Sequence, residues 1–341
     1  MGVPATSSVR NPRELSLPAR PWNLGGIESL NPPNAMFGRD KMNGASVLER
    51  VFFERPVVER IRASGFEAVD MHFHTNRSDA YTTVRSAMSV AKRKGVGLAI
   101  TDHNTVSSAV EAHRLQTGVL VIPGMEVSAE DGPHILLYFY DLSEMVEFYH
   151  REIERRKGKS PYMATTLSTE DLLDTTARYN CVRAAAHPYG YLMFNKGVAK
   201  SVEKGYLGPG TLGRLDAIEV INGGMSRKVN RKASDLAVKL RLGLVGGTDG
   251  HMLRGLGDVL TCARATGVEG FLDDIVHRRT FVVGREKGLV DKGLTAALLM
   301  TRYVPYTLPS LGVHVRQNAP RVRRFIRGKG AGASRTRTKP E

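Results

Sequence analysis

From Phe66 onward, short apolar runs alternate with stretches of helical spacing, and nearly every run ends beside a His, Asp or Glu. Val96–Ile100 is apolar on both faces, as expected of a strand covered by helices on each side. His134–Phe139, Cys181–Ala186, Leu215–Ile221 and Gly243–Gly247 read as strands, with Val119–Val121 and Phe281–Val283 as shorter ones. Helical spacing runs through Thr82–Lys94, Thr105–Thr117, Arg227–Leu240, Val268–Arg278 and Asp291–Tyr303. Such repetition predicts an α/β chain, built as a parallel barrel or a doubly wound sheet.

The polar residues at the run ends carry the chemistry. Val69–Asp79 reads V-D-M-H-F-H-T-N-R-S-D, and in extended chain Asp70, His72 and His74 share one face. Thr101-Asp102-His103-Asn104 follows the second run, and Glu126 follows the third within Gly-Met-Glu-Val-Ser. His134 opens the next strand, which reaches the same rim if it runs antiparallel. His187 follows Cys181–Ala186, and Asp249 and His251 follow Gly243–Gly247. In α/β barrels the strand ends converge on one ligand. One histidine at one strand end would be ordinary; the set is not. It holds too many ligands for a single ion and suits two or three clustered divalent cations, with Zn, Mn and Fe all compatible. Clustered cations activate water at neutral pH and clamp the oxygens of a transferring phosphoryl group. No Gly-x-Ser-x-Gly elbow is present, and Gly243–Gly247 lacks the Lys-Ser/Thr of a phosphate-cradling loop.

In order, D-M-H-F-H-T-N-R-S-D, I-T-D-H-N, G-M-E-V-S, G-P-H-I-L, A-A-H-P and G-G-T-D-G-H resemble the PHP (polymerase and histidinol phosphatase) superfamily, over about Phe66 to Gly284. The resemblance implies a distorted (β/α)7 barrel and metal-dependent phosphoester hydrolysis by attack of a metal-bridging hydroxide. It implies metal ligands at His72, His74, Asp79, His103, Glu126, His134, His187, Asp249 and His251, with Glu126 bridging two ions. Asp70 and Asp102, adjacent to ligands, are expected to orient imidazoles. Glu219 and Asn222 match the family's E-V-x-N-G motif and are expected to shape the pocket. Asp79 stands where some relatives have histidine, which points toward the small-substrate branch. Arg227, with Arg77 as a second candidate, is expected to bind the phosphate, and Arg183 to be structural.

Length allows one large domain with extensions. Residues 1–62 read as an N-terminal extension, irregular to Asn43 and then helical from Val47 with a break at Pro56. Residues 63–286 form the metal-binding domain, with 141–180 as an inserted helical cap; 287–315 form a C-terminal helical segment. Residues 316–341 read as a basic, disordered tail. Net charge is +15, and Arg151, Arg155, Arg156, Lys157 and Lys159 make the cap basic as well. The expected partner is a phosphorylated small molecule or nucleotide, with nucleic acid as an alternative gathered by the basic cap and tail. A third reading, a non-enzymatic nucleic-acid binder with a structural metal, conflicts with a ligand set far larger than the four of a structural zinc site. No apolar run is long enough to span a bilayer and there is no leader, so no membrane partner is expected. With only Cys181 and Cys262, the expected setting is the cytoplasm.

Overall fold

The computed structural model describes residues 50–192 and 195–319. The expectations for residues 1–49 and for most of the basic tail lie outside these.

Among the described residues the first elements are β1 (Val51–Phe52) and α1 (Val58–Ala63), so Val51–Phe52, expected as helix, is strand. Aromatic and β-branched residues favour that state, and β1 pairs in parallel with a strand near the other end of the domain. There follow β2 (Glu67–Phe73), α2 (Val84–Lys94), β3 (Gly97–Ile100), α3 (Ser107–Arg114), β4 (Gly124–Ser128) and β5 (His134–Phe139). Then come α4 (Leu142–Phe148), α5 (Thr169–Thr176), β6 (Cys181–Ala185), the small hairpin β7 (Tyr191–Leu192) and β8 (Asn195–Lys196), and α6 (Val198–Glu203). The rest is β9 (Ala217–Asn222), α7 (Arg227–Leu240), β10 (Gly243–Gly247), β11 (Val259–Ala263), α8 (Gly267–Val276), β12 (Phe281–Gly284) and α9 (Leu289–Tyr303).

The fold is α/β, with its main strands in two five-stranded sheets, ordered β1-β12-β11-β2-β3 and β10-β9-β6-β5-β4. The parallel alternation is broken twice. β5 runs antiparallel to both β4 and β6, and β11 runs antiparallel to both β2 and β12. Because β5 is reversed, its first residue, His134, sits opposite the last residue of β4, Ser128. β11 had no sequence signature: Val-Leu-Thr-Cys-Ala is buried on both faces and lacks alternation.

Isolated bridges link the sheet edges at the functional rim. On one side Phe73 pairs with Gly250, and the His74 amide donates to the Gly250 carbonyl at 2.8 Å. The backbones come so close here that a Cβ on Gly247 would lie 2.4 Å from the His72 nitrogen; only glycine fits. On the other side His103 pairs with Glu126, and the Asn104 amide donates to the Glu126 carbonyl at 2.9 Å. Glu126 therefore lies inside β4; the expected strand at Val119–Val121 is reduced to one bridge between Val121 and Leu98. Val69, Met71, Leu136, Tyr138, Ala184 and Val245, drawn from both sheets, form a common buried cluster.

α4 is capped by the Asp141 carboxylate, which accepts from the Ser143 amide at 2.7 Å. Its Met145 and Phe148, with Leu172 and Leu173 of α5, join the same core as Leu137 and Phe139 of β5. These two helices pack on the sheet, and several basic residues that follow them are ion-paired: Arg151 with Glu147, and both Arg156 and Arg178 with Glu152. α9 is followed by a 3-10 turn at Val304–Tyr306 and further helix through residues 307–319. This C-terminal helix lies over the rim, as its contacts below show.

Candidate metal centre

Glu126 is the hub. Projecting from β4, it is 1% exposed, and five imidazoles surround its carboxylate. Oε1 lies 3.0 Å from His134 Nδ1 and 3.1 Å from His187 Nε2. Oε2 lies 3.2 Å from His103 Nδ1, 3.3 Å from His72 Nε2 and 3.4 Å from His74 Nε2. The two oxygens thus serve two separate histidine groups. A second lobe of the cluster is acidic. Asp249 Oδ1 is 3.3 Å from His74 Nε2, Asp79 Oδ1 is 3.3 Å from His251 Nε2, and Asp79 Oδ2 is 3.5 Å from His103 Nε2. The structure therefore brings together all nine residues singled out as ligands.

Overlapping triads suited to a metal ion occur at His72–His74–Asp249, His74–His103–Glu126, His74–Asp79–His251 and Glu126–His134–His187. The donor chemistry fits divalent cations. His72 Nε2 and His74 Nε2 face each other at 3.0 Å, although the His72 ring already donates from Nδ1 to Glu219 at 2.9 Å. Two imidazole lone pairs turned together among carboxylates are what a cation would reconcile. The buried Nδ1 atoms of His74 and His187 make no hydrogen bond.

The electrostatics follow from this crowding. Burial alone would raise Glu126, but His103, His72 and His134 outweigh it and hold the carboxyl well below its usual range. The same contest depresses Asp249, through His72, His74 and His251, and Asp79, through His251, His103 and His74. Burial pushes His134 down to about 4 even with Glu126 beside it.

Asp70 and Asp102 touch no imidazole, and each instead ties loops together. Asp70 accepts from the Thr248 amide at 2.9 Å, the Thr248 hydroxyl at 2.7 Å and the Gly257 amide at 2.9 Å. Burial still raises its carboxyl to about 6 against those bonds. Asp102 accepts from the Thr75 amide at 2.7 Å and from the hydroxyls of Thr75 and Ser78. The residue that orients an imidazole is Glu219 on β9. Besides His72, it accepts from the His187 amide at 2.6 Å and from Asn222 Nδ2 at 3.0 Å. Its place in E-V-x-N-G marked it as near the pocket, but the pairing across the sheet to His72 has no sequence signal.

His187, Asp249 and Asn104 have φ of 28°, 48° and 53°, a left-handed backbone that costs a non-glycine residue about 1 kcal/mol or more. All three are pinned: His187 by Glu219, Asn104 by the Glu126 carbonyl, and Asp249 by Lys287 Nζ, which donates to its carbonyl at 2.6 Å.

Above the cluster is a cavity of about 450 Å³. Its floor is the histidine–carboxylate set. Lys287, Lys292 and Lys196 line it, with Tyr162 and Met163 from the inserted segment. Its roof is the C-terminal helix, through Thr295, Leu299, Tyr303 and Gln317. The Tyr303 hydroxyl bonds to Asp79, and Lys196 Nζ donates to Gln317 Oε1 at 2.5 Å. Arg227 is not part of this arrangement: its guanidinium pairs with Glu286 at 3.0 Å and stacks over Phe53. Arg77 pairs with Glu111 on the surface, and Arg183 pairs with Asp216.

Comparison with known proteins agrees with the motif order. An uncharacterized protein of Methanocaldococcus jannaschii is 31% identical over 134 residues, covering 35% of this chain and 67% of that relative. Among solved structures, a two-domain protein from Bacteroides vulgatus containing a predicted PHP-like metal-dependent phosphoesterase aligns with a TM-score of 0.46 and 18% identity. That alignment covers 76% of this chain and 75% of the other. A lesion-specific endonuclease from Pyrococcus furiosus aligns with a TM-score of 0.49 and 17% identity, over 64% of this chain and 57% of its own. The PHP domain model matches residues 70–258, more than half of the sequence and the whole run of strands that builds the centre, so this chain belongs to the PHP-domain family.

Proposed function

We propose that the chain is a metal-dependent phosphoesterase acting on a small phosphorylated metabolite or nucleotide. The observation that carries this reading is Glu126, whose two oxygens face separate histidine groups on the floor of a cavity. In this reading the two sheets are the halves of a distorted (β/α)7 barrel, and residues 63–286 are the metal-binding domain. His72, His74, Asp79, His103, Glu126, His134, His187, Asp249 and His251 hold two or three divalent ions. Bound there, such ions supply an activated water at neutral pH and neutralise the phosphoryl oxygens. Glu219 fixes the His72 ring so that Nε2 faces His74 and Glu126, where it would help hold an ion. Lys287 and Lys292, rather than Arg227, supply positive charge facing the substrate phosphate. The roof and a volume of about 450 Å³ favour a small phosphate monoester over a nucleic-acid strand. Two unpaired thiols, Cys181 and Cys262, fit a cytoplasmic setting.

The test is metal analysis of the purified protein, followed by hydrolysis of a phosphomonoester, a phosphodiester and short oligonucleotides side by side. Glu126→Gln, nearly isosteric, is expected to lower turnover by more than about 10³-fold and to reduce metal content without unfolding the protein. A protein that takes up no metal overturns the reading. Faster cleavage of the diester or oligonucleotide than of the monoester overturns the choice of substrate.

A further inference from the structure

The C-terminal helix has two different faces. Thr295, Tyr303, Ser310, Val313 and Gln317 are buried against the body of the protein. The outward side is apolar. Val304, Leu308, Leu311 and Val315 recur at steps of four, three and four, so they stack on one helical face. They are 67%, 79%, 58% and 59% exposed. Leu289 and Val290, at the start of α9, are more exposed still, at 88% and 82%. Isolated apolar residues on a surface are ordinary, but a contiguous ridge of leucine and valine marks an interaction site.

Charge identifies the partner. From Lys292 to Pro340 the sequence contains no Asp or Glu, while Arg316, Arg321, Arg323, Arg324 and Arg327 recur through it. Asp291, at the start of the ridge, is ion-paired to Arg254. Pairing with a second copy through the ridge would bring two cationic segments together, which like-charge repulsion opposes. A nucleic acid would use the charge and leave the ridge wet. An anionic lipid surface uses both, since apolar side chains enter the headgroup–acyl boundary while arginines meet the lipid phosphates and carboxylates.

We propose that the outer face of the C-terminal helix docks the protein on an anionic membrane surface. The helix lies on the bilayer; no helix among the described residues is long and apolar enough to cross one. The inference concerns the outer face alone and does not depend on the activity assigned to the cavity.

The experiment is vesicle flotation of the full chain with neutral phosphatidylcholine and with phosphatidylcholine–phosphatidylserine mixtures. Flotation with the anionic vesicles is expected, at least about tenfold stronger than with neutral ones. Salt is expected to weaken it without abolishing it. Leu308→Asp/Leu311→Asp, at exposed positions, is expected to keep the wild-type melting temperature and lose at least about tenfold in binding. No flotation with anionic vesicles overturns the proposal. So does unchanged binding by the double variant, which would leave only attraction to the basic sequence. A wild-type dimer by light scattering that the double variant renders monomeric assigns the ridge to a second copy, and also overturns it.

Discussion

The cavity has a floor and a roof built in contrasting ways. Its floor collects side chains from strands of both sheets, and three of its imidazoles carry a fixed partner: His72 has Glu219, His251 has the Asp249 carbonyl at 3.1 Å, and His103 has Ser128 at 3.2 Å. Its roof is one helix. Arg302 donates to the carbonyls of Asn76 and Ser78 at 3.1 and 2.6 Å, Ser310 pairs with Ser160 at 2.8 Å, and Gln317 accepts from Lys196. Clustered ions tolerate little error in ligand placement, and a floor tied at many points supplies that precision. In the proposed function the roof would meet the substrate's variable part, where shape and apolarity count for more than exact distance. The two regions should therefore respond differently to substitution.

The largest effect is expected where the floor is tied to the fold. Asp70→Ala orphans two buried amides and a hydroxyl, those of Thr248 and Gly257. At about 1–3 kcal/mol for each unsatisfied donor, relieved in part by relaxation, the loss should be about 3–5 kcal/mol in a chemical denaturation series. A loss below about 1 kcal/mol would mean that the floor is not over-determined, and the contrast with the roof would fail. Glu219→Gln comes next. Glutamine keeps the size of the side chain but removes the charge that fixes the His72 tautomer, so metal affinity should fall about 10–100-fold with little change in stability. Competition with a metal-sensitive dye would measure it; wild-type affinity would reduce Glu219 to a structural residue.

The floor was largely legible in the chain, because its ligands sit at or beside strand ends and residue type survives without coordinates. His134 was legible as a candidate ligand and only conditionally as a neighbour of the others, since its place depends on β5 running antiparallel. Partnerships across the sheets were not legible. Asp70 follows the strand pattern toward the ligands, yet its carboxylate is taken by Thr248 and Gly257, 178 and 187 residues away along the chain. Arg227 looked like a phosphate ligand because it follows the Asn222-Gly223-Gly224 turn, but Glu286, 59 residues on, holds it. Composition reports charge, not which charge is already paired. The roof was missed for a different reason. α9 was readable as a helix, but the pairing of its inner face with Asp79 and its outer ridge with solvent depends on where the helix lands.

The smallest effect, and the sharpest test of the contrast, is expected at Tyr303. It is 6% exposed, and its hydroxyl bonds to the floor carboxylate Asp79, while its ring lines the roof. Tyr303→Phe keeps the ring and removes one donor. Asp79 retains His251 at 3.3 Å and His103 at 3.5 Å, so the ligand stays in place. A single hydrogen bond to a charged group is worth about 1.5–3 kcal/mol, and bound cations would take over most of that stabilisation of the carboxylate. Metal affinity should therefore fall by less than about tenfold, below the loss from Glu219→Gln. Turnover and the Michaelis constant should both change little, because the ring that lines the cavity is kept. A Tyr303→Phe protein that loses as much metal as Glu219→Gln would show that the helix helps build the centre it covers, and that the floor alone does not.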